Sequence, residues 1–231
     1  FCSLVVAGSL PFDEALRIVD ERGRAMQDAA ELAPGAMAAV LGLDAARVRE
    51  VAVTAQAAGA GRVQLANFNS PTQIVISGDC AAVQAAADGM LAAGAKRVVA
   101  LNVSGAWHSA LMEPAVERFR AAVDRAHFDV PLFDVVSNVD ARPYREAATI
   151  RDSLVRSISH EVRWHDTAER LLSYELDLVV EFGASGVLGP LMKRMPGAPK
   201  VMVVSDFAGV ESLRAALWRH DGEPAAAGGE S

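Results

Sequence analysis

Apolar and polar positions along the chain predict alternating helices and strands. Apolar runs of about four to eight residues bounded by glycine, proline or polar residues are typical of strands, whereas apolar positions three and four apart are typical of amphipathic helices. The predicted helices cover residues 1–8, 12–30, 45–57, 81–93, 114–127, 149–158, 166–175, 187–195 and 210–219. The predicted strands cover residues 36–41, 63–69, 73–78, 97–103, 133–138, 178–182 and 201–204. Strand 178–182 is apolar enough to be buried on both faces, and the alternation as a whole predicts an α/β fold.

The order of elements between residues 34 and 103 is β-α-β-β-α-β, which is the order of a ferredoxin-like unit. We expect residues 34–103 to form a small subdomain inserted into a larger one, built from residues 1–33 and 104–220. Residues 221–231 are rich in glycine, alanine and proline and are predicted to be disordered. The first eight residues are apolar nearly all round, which predicts a helix buried nearly all round. They also lack an initiator methionine, so we expect the chain to begin inside a domain.

Composition excludes several classes of function. The 231 residues are 52% hydrophobic and 22% charged, which is enough for a sizeable core. The net charge of −7, without a long basic run, argues against a nucleic-acid partner. No apolar run approaches the roughly 18 residues of a membrane span. Two cysteines, Cys2 and Cys80, suit a reducing compartment. We therefore expect a cytoplasmic protein, with no membrane partner, and take a monomer as its expected state.

The first candidate for chemistry is His108, in the loop Ser104–Met112 between a predicted strand and a predicted helix. Enzymes of the α/β class place catalytic groups on loops that leave the strand ends. A histidine in a tight turn can equally be satisfied by backbone partners. Position alone leaves both interpretations open.

The second candidate is Arg22, which shares the apolar stripe of its predicted helix with Ile18, Val19 and Met26. An arginine on a buried face needs an anion, because an unpaired buried charge is costly. An internal ion pair or a snorkelling side chain would satisfy it. The functional alternative is a bidentate clamp for the carboxylate of a substrate.

Other motifs do not support chemistry of their own. Residues 183–186 begin like a nucleophile elbow, Gly-x-Ser-x-Gly, but Val187 stands where the last glycine is required, so a helix-capping turn is the better interpretation. His160 and His165 are five apart and share a helix face poorly. Asn67 and Asn69 are most simply turn residues. We therefore expect no metal site, and the chain offers no evident nucleophile.

Several stretches in fixed order carry a family resemblance. They are Glu21-Arg22-Gly23, Gly35–Val40, Asn67–Pro71, Gly94–Arg97, Ser104–Met112, Ser137–Asp140 and Val162–Trp164. With them the chain, from residue 1 to about residue 215, resembles the malonyl-CoA:acyl carrier protein transacylases of fatty-acid synthesis and the related acyltransferase domains of polyketide synthases.

The resemblance implies a serine hydrolase-like large subdomain with a ferredoxin-like small one, and a reaction without a cofactor. A serine takes malonyl from coenzyme A and passes it to the phosphopantetheine thiol of acyl carrier protein. His108 matches the catalytic base of the family. Arg22 matches the arginine that pairs with the malonyl carboxylate, and Asn69 is a further candidate for substrate binding.

Three departures from the family pattern matter. The nucleophile motif, Gly-His-Ser-x-Gly-Glu, should end immediately before Phe1, so we expect this chain alone to be inactive. Ser157 stands where the family commonly has glutamine near the base, which costs little if the contact is made by the backbone carbonyl. Trp107 stands where phenylalanine is common, and its larger ring should disfavour branched acyl groups. A polyketide synthase module, or a non-catalytic relic that binds carrier protein, remains an alternative.

Overall fold

Four antiparallel strands and two helices form the centre of the fold. The computed structural model describes residues 1–184 and 186–221, and of residues 218–221 only the helical backbone. The elements of this part are β1 (Gly35–Leu41), α3 (Ala45–Ala57), β2 (Val63–Ser70), β3 (Gln73–Asp79), α4 (Cys80–Ala92) and β4 (Arg97–Ala100). The strands lie in the order β2-β3-β1-β4, and every neighbouring pair is antiparallel. This confirms the predicted ferredoxin-like arrangement and the α/β class.

Local chemistry explains how these elements begin and pack. The Asp44 carboxylate accepts a hydrogen bond from the Arg47 amide at 2.8 Å and so caps the first turn of α3. The sheet and the two helices bury a common apolar cluster, in which Val40, Ile74 and Ile76 are fully buried. Strand β2 is an edge strand with two irregular registers, and its outer edge bonds to Val162: the Phe68 amide donates to the Val162 carbonyl at 2.8 Å, and the Val162 amide donates to Ala66 at 2.7 Å.

A helical layer accompanies this sheet. Its elements are α1 (Cys2–Val6), α2 (Phe12–Leu32), a 3₁₀ helix (Ala110–Met112), α5 (Glu113–Asp124), α6 (Ala147–Arg156) and α7 (Trp164–Leu172). Helices α2 and α5 pack against each other, and Arg118 of α5 bonds to Glu21 at 2.5 Å and also to Asp28, both on α2. The first helix is buried on one side only, because Leu4 is buried whereas Val6 is 73% exposed; the prediction of a helix buried nearly all round is wrong.

Two other predictions about strands are wrong. Residues 133–138 form no strand, because the chain folds back at once: the Ser137 amide bonds to Arg142, the Tyr144 amide bonds to Val135, and Val136 and Pro143 make a single bridge. Strand β5 (Leu178–Phe182) is half-buried instead of buried on both faces. In the described residues it pairs only with β6 (Lys200–Val204), in a two-stranded parallel sheet.

The chain divides into two compact units, Phe1–Arg170 and Leu171–Ser231. In the second unit α8 (Leu188–Met192) and α9 (Phe207–Asp221) accompany β5 and β6. The Glu181 carboxylate accepts hydrogen bonds from the Val187, Leu188 and Gly189 amides at 2.7–2.8 Å. Desolvation raises the pKa of Glu181, but the hydrogen bonds from these three amides together outweigh it, so the pKa is lowered.

Some predictions remain open. Ser185, in the predicted helix-capping turn at residues 183–186, lies outside the described residues, as do residues 222–231 of the tail predicted to be disordered. The boundaries of the two subdomains stay a prediction. None of the described helices is both long enough and apolar enough to cross a membrane.

Candidate active site

The loop between β4 and α5 holds His108 in an unusual backbone conformation. Its φ angle is +57°, in the left-handed region that residues other than glycine rarely adopt. The neighbouring Ser109 is buried and fixes the loop from within, since its hydroxyl donates to the Ala106 carbonyl at 2.6 Å and accepts from the Leu111 amide at 3.2 Å. Such a conformation persists only where surrounding contacts hold it, and it is typical of functional sites.

The imidazole of His108 is oriented by backbone groups of Ser157 and His160. Its Nδ1 lies 2.9 Å from the carbonyl oxygen of Ser157, the residue that ends α6. A carbonyl can only accept, so Nδ1 carries the proton and Nε2 is left with its lone pair. The Ser157 hydroxyl is occupied elsewhere, because it donates to the Leu154 carbonyl at 2.6 Å. The contact at position 157 is therefore made by the backbone, and serine can stand there without loss of it.

The surroundings of His108 keep its ring neutral. Burial lowers the pKa of His108, and the positive charge of Arg22 lowers it further. The backbone groups of Ser157 and His160 raise it, but less strongly. At neutral pH the ring is therefore uncharged, with Nε2 able to take a proton.

Arg22 is a half-buried cation without an anionic partner among the described residues. On the same helix Arg17 pairs with Asp13, and Arg24 pairs with Asp20. Arg22 has no hydrogen bond or ion pair within residues 1–184 and 186–221, and burial alone lowers its pKa. Its ordinary pKa is so high that it remains charged. The internal ion pair considered from sequence is absent from the described structure, so an external anion would compensate this charge.

One cavity of about 450 Å³ brings the two candidates together. Its lining residues in the described part of the chain are Arg22, Gly23, Met26, Gln27, Met37, Asn67, Leu101, Val103, Trp107 and His108. The wall is thus mostly apolar, with a cation and a neutral imidazole on it. Such a cavity suits a small acyl group that carries a negative charge.

The remaining predicted residues lie near this cavity in different ways. Trp107 lines it, and a Cβ atom added at Gly105 would come within 2.9 Å of the indole ring, so the edge of that ring lies close to the loop backbone. Asn69 and Ser157 are half-buried and are not among the lining side chains. The interpretation of Asn67 and Asn69 as turn residues is wrong, because both lie within β2. Asn67 lines the cavity. Strand alternation could not have placed it there, because the register of β2 shifts between Leu65 and Asn67.

The pKa of His108 can be measured directly. Its imidazole should titrate below the ordinary value of about 6.5 in nuclear magnetic resonance spectra of this chain, because burial and the Arg22 charge disfavour the imidazolium. Replacing Arg22 by glutamine should raise the midpoint, whereas Arg24→Gln, on the same helix but paired with Asp20, should leave it unchanged. Between the folded and unfolded pKa values the unfolded chain binds more protons, so the free energy of unfolding falls as the pH falls through that window. A midpoint at or above the ordinary value would contradict this description of the site.

A half-buried cation and an oriented neutral base thus lie on one cavity of an α/β fold, an arrangement that suits an enzyme of the acyltransferase class. Residues 1–193 match the family described as acyl transferase domain, and the chain belongs to that family. The resemblance found in the sequence is thereby confirmed. No group of three or more histidine, cysteine or acidic side chains in the described residues is arranged to hold a metal ion.

The proteins to which this chain is similar have names that describe malonyl transfer. A malonyl CoA-acyl carrier protein transacylase from Haemophilus influenzae is 38% identical over 215 residues, which are 92% of this chain and 68% of that protein. The crystal structure of FabD from Acinetobacter baumannii has a TM-score of 0.88 at 34% identity, over 94% of this chain and 69% of that one. A malonyl-transacylase in complex with a type II polyketide acyl carrier protein has a TM-score of 0.84 at 37% identity, over 90% and 67%. The chain spans about two thirds of the length of these relatives.

Proposed function

We propose that this chain provides the base and the carboxylate-binding residue of a malonyl transferase, which moves malonyl from coenzyme A to the phosphopantetheine thiol of an acyl carrier protein. The observation that carries the proposal is Arg22, a cation without a partner among the described residues, on the same cavity wall as His108. The names of the relatives support the acyl group and the acceptor.

The first half of the reaction loads a serine. The serine hydroxyl gives its proton to Nε2 of His108 as its oxygen attacks the thioester carbonyl of malonyl-CoA. The carbon–sulfur bond then breaks, and the coenzyme A thiolate leaves with the proton from the imidazolium. In the second half the carrier thiol gives its proton to Nε2 and attacks the acyl-serine ester. The carbon–oxygen bond breaks, and the serine oxygen takes the proton back.

The roles of the other residues follow from this sequence of steps. Arg22 would bind the free malonyl carboxylate with its planar fork of donors. The Ser157 carbonyl would hold the histidine tautomer in both halves and stabilise the imidazolium that forms between them. Trp107, held against the loop backbone and flanked by Met37, would limit the cavity to unbranched acyl groups. Asn69 is proposed to bind substrate although it is not among the described residues that line the cavity.

The nucleophile is proposed to come from outside this chain. None of the described residues that line the cavity is a serine or a cysteine. We also propose that residues 34–103 form the small subdomain and that the remaining residues up to 220 belong to the large one. The protein is proposed to be a monomer in the cytoplasm. The two cysteines, Cys2 and Cys80, are free and exposed, which supports a reducing compartment.

The isolated 231-residue chain should therefore form no covalent malonyl adduct with malonyl-CoA, because nothing on the described cavity wall can attack the thioester. Mass spectrometry of the intact protein after incubation checks this, with the full-length protein containing the nucleophile as the positive control. A malonyl ester mapped to a serine of this chain would contradict the proposal.

A polyketide acyltransferase is the second candidate, favoured by the similarity to a malonyl-transacylase solved with a polyketide carrier protein. The chemistry at the cavity is the same and only the carrier differs. Rates of transfer to a fatty-acid carrier and to a polyketide carrier, measured in the same preparation of full-length enzyme, separate the two. Carrier binding without transfer would instead indicate the non-catalytic alternative.

A further inference from the structure

One side chain on β2, Gln64, bonds to both segments that hold the imidazole. Its Nε2 donates to the His108 carbonyl at 3.3 Å and to the Ser159 carbonyl at 3.4 Å. Its Oε1 accepts from the Ala110 amide at 3.0 Å. The side-chain amide therefore uses both of its N–H donors and its oxygen on backbone groups of the site.

The two contacts of Gln64 with the loop lie on the C-terminal side of the strained residue, His108. Gln64 holds the carbonyl of His108 itself and the amide two residues further on. These two groups belong to the two peptides that follow the His108 Cα atom, and the first of these peptides would have to rotate if His108 moved from its φ of +57° to a right-handed conformation. Losing them would leave the disfavoured conformation with fewer contacts that impose it.

The third contact of Gln64, with the Ser159 carbonyl, fixes the segment whose Ser157 carbonyl accepts the hydrogen bond from His108. Ser159 lies two residues beyond Ser157, whose carbonyl binds Nδ1 of His108. The same segment is joined to the edge of β2 at Val162 by two backbone hydrogen bonds. Gln64 thus connects the backbone of His108 to the backbone that orients its ring, and β2 provides the rigid support.

We propose that Gln64 is the positioning residue of His108: it maintains the loop conformation and the distance to Ser157 that keep the proton on Nδ1 and leave Nε2 free. It touches neither cavity nor substrate in this role, because it is not among the described lining residues. The effect on the imidazole rests on the geometry alone, whereas the effect on turnover rests also on the proposed function.

Two substitutions and one control separate positioning from general stability. Gln64→Met keeps the length of the side chain but removes every hydrogen bond. Gln64→Glu keeps the acceptor for the Ala110 amide but places a carboxylate against the His108 and Ser159 carbonyl oxygens. A side chain of the same shape as glutamine should therefore fail to position His108. Gln84→Met is the control, because the Gln84 side chain is exposed and its hydrogen bond in the described structure, at 3.0 Å, is to Asp88 of the same helix α4.

The first measurement needs no catalysis. Nitrogen-15 spectra of the imidazole in the 231-residue chain at neutral pH should show a single Nδ1–H tautomer for His108 in the wild type and in Gln84→Met. Gln64→Met and Gln64→Glu should show a mixture of tautomers, because the ring loses its fixed acceptor. The titration midpoint should move upward toward the ordinary value, because the ring gains solvent and burial is the largest cause that lowers its pKa; loss of the Ser157 contact opposes this shift but is the weaker effect. Backbone spectra establish that each variant is folded; if Gln64→Met unfolds, Gln64→Glu provides the comparison.

The second measurement uses the full-length enzyme. There kcat for malonyl transfer should fall about 10–100-fold in Gln64→Met, with KM for malonyl-CoA unchanged and the acidic limb of the pH profile displaced with the NMR midpoint. A single unperturbed tautomer in folded Gln64→Met would overturn the positioning role. Altered tautomers together with a wild-type enzyme that transfers no malonyl would leave the positioning role in place and refute the proposed function.

Discussion

Replacing His108 by alanine in the full-length protein should slow malonyl transfer about 10²–10⁴-fold, the usual contribution of a general base. The reason is the arrangement of the ring, which is neutral, oriented by the Ser157 carbonyl and placed on the cavity wall with Nε2 unprotonated. Both half-reactions pass a proton through that atom, so both should slow. Rapid-mixing measurements of serine loading and of transfer to the carrier check the two halves separately.

The control for this prediction is His127→Ala. His127 is an exposed histidine whose Nε2 lies 3.2 Å from Asp129, and it is not among the described residues of the cavity wall. Its replacement should leave both rates unchanged. Transfer at near wild-type rate by folded His108→Ala would mean that the imidazole is held by backbone partners for structural reasons only, which is the other interpretation that the sequence allowed.

The sequence predicted the parts of this fold that depend on local pattern. The ferredoxin-like order of elements follows from apolar periodicity, and the position of Arg22 follows from the stripe on which it lies. Strand 133–138 was mispredicted for a physical reason: its apolar residues, such as Val135, are buried by a turn that pairs with itself and not by a sheet.

The site was predictable only where one residue carries its own signal. His108 stands at a strand-to-helix junction, and Arg22 is a charge at an apolar position. Gln64 has no such signal, because its partners lie 44 to 95 residues away and are backbone groups, which any residue type would supply. The contact of His108 with position 157 was expected only through the family resemblance, with the backbone carbonyl as one possible partner, because the residue type at a position does not determine a backbone contact.

Arg22→Ala should depress the transfer of malonyl and leave the transfer of acetyl unchanged or improved. Malonyl carries a free carboxylate and acetyl does not, and Arg22 is the half-buried cation on the cavity wall that has no anion among the described residues. A hydrogen bond to a charged group contributes about 1.5–3 kcal/mol, which corresponds to about 10–150-fold in the ratio of the two substrates. The measurement is kcat/KM for malonyl-CoA and for acetyl-CoA in the full-length enzyme.

The ratio is the informative quantity, because removing Arg22 also raises the pKa of His108 and so alters the base for both substrates equally. Arg22→Lys should restore the ratio only in part, since lysine keeps the charge but lacks the planar fork that binds a carboxylate at two points. Arg24→Ala is the matched control: Arg24 lies two residues further along α2, is exposed and already pairs with Asp20, so its loss should leave the ratio as in the wild type. An equal loss for both substrates in Arg22→Ala would show that the arginine supports the structure of the site and does not recognise the carboxylate.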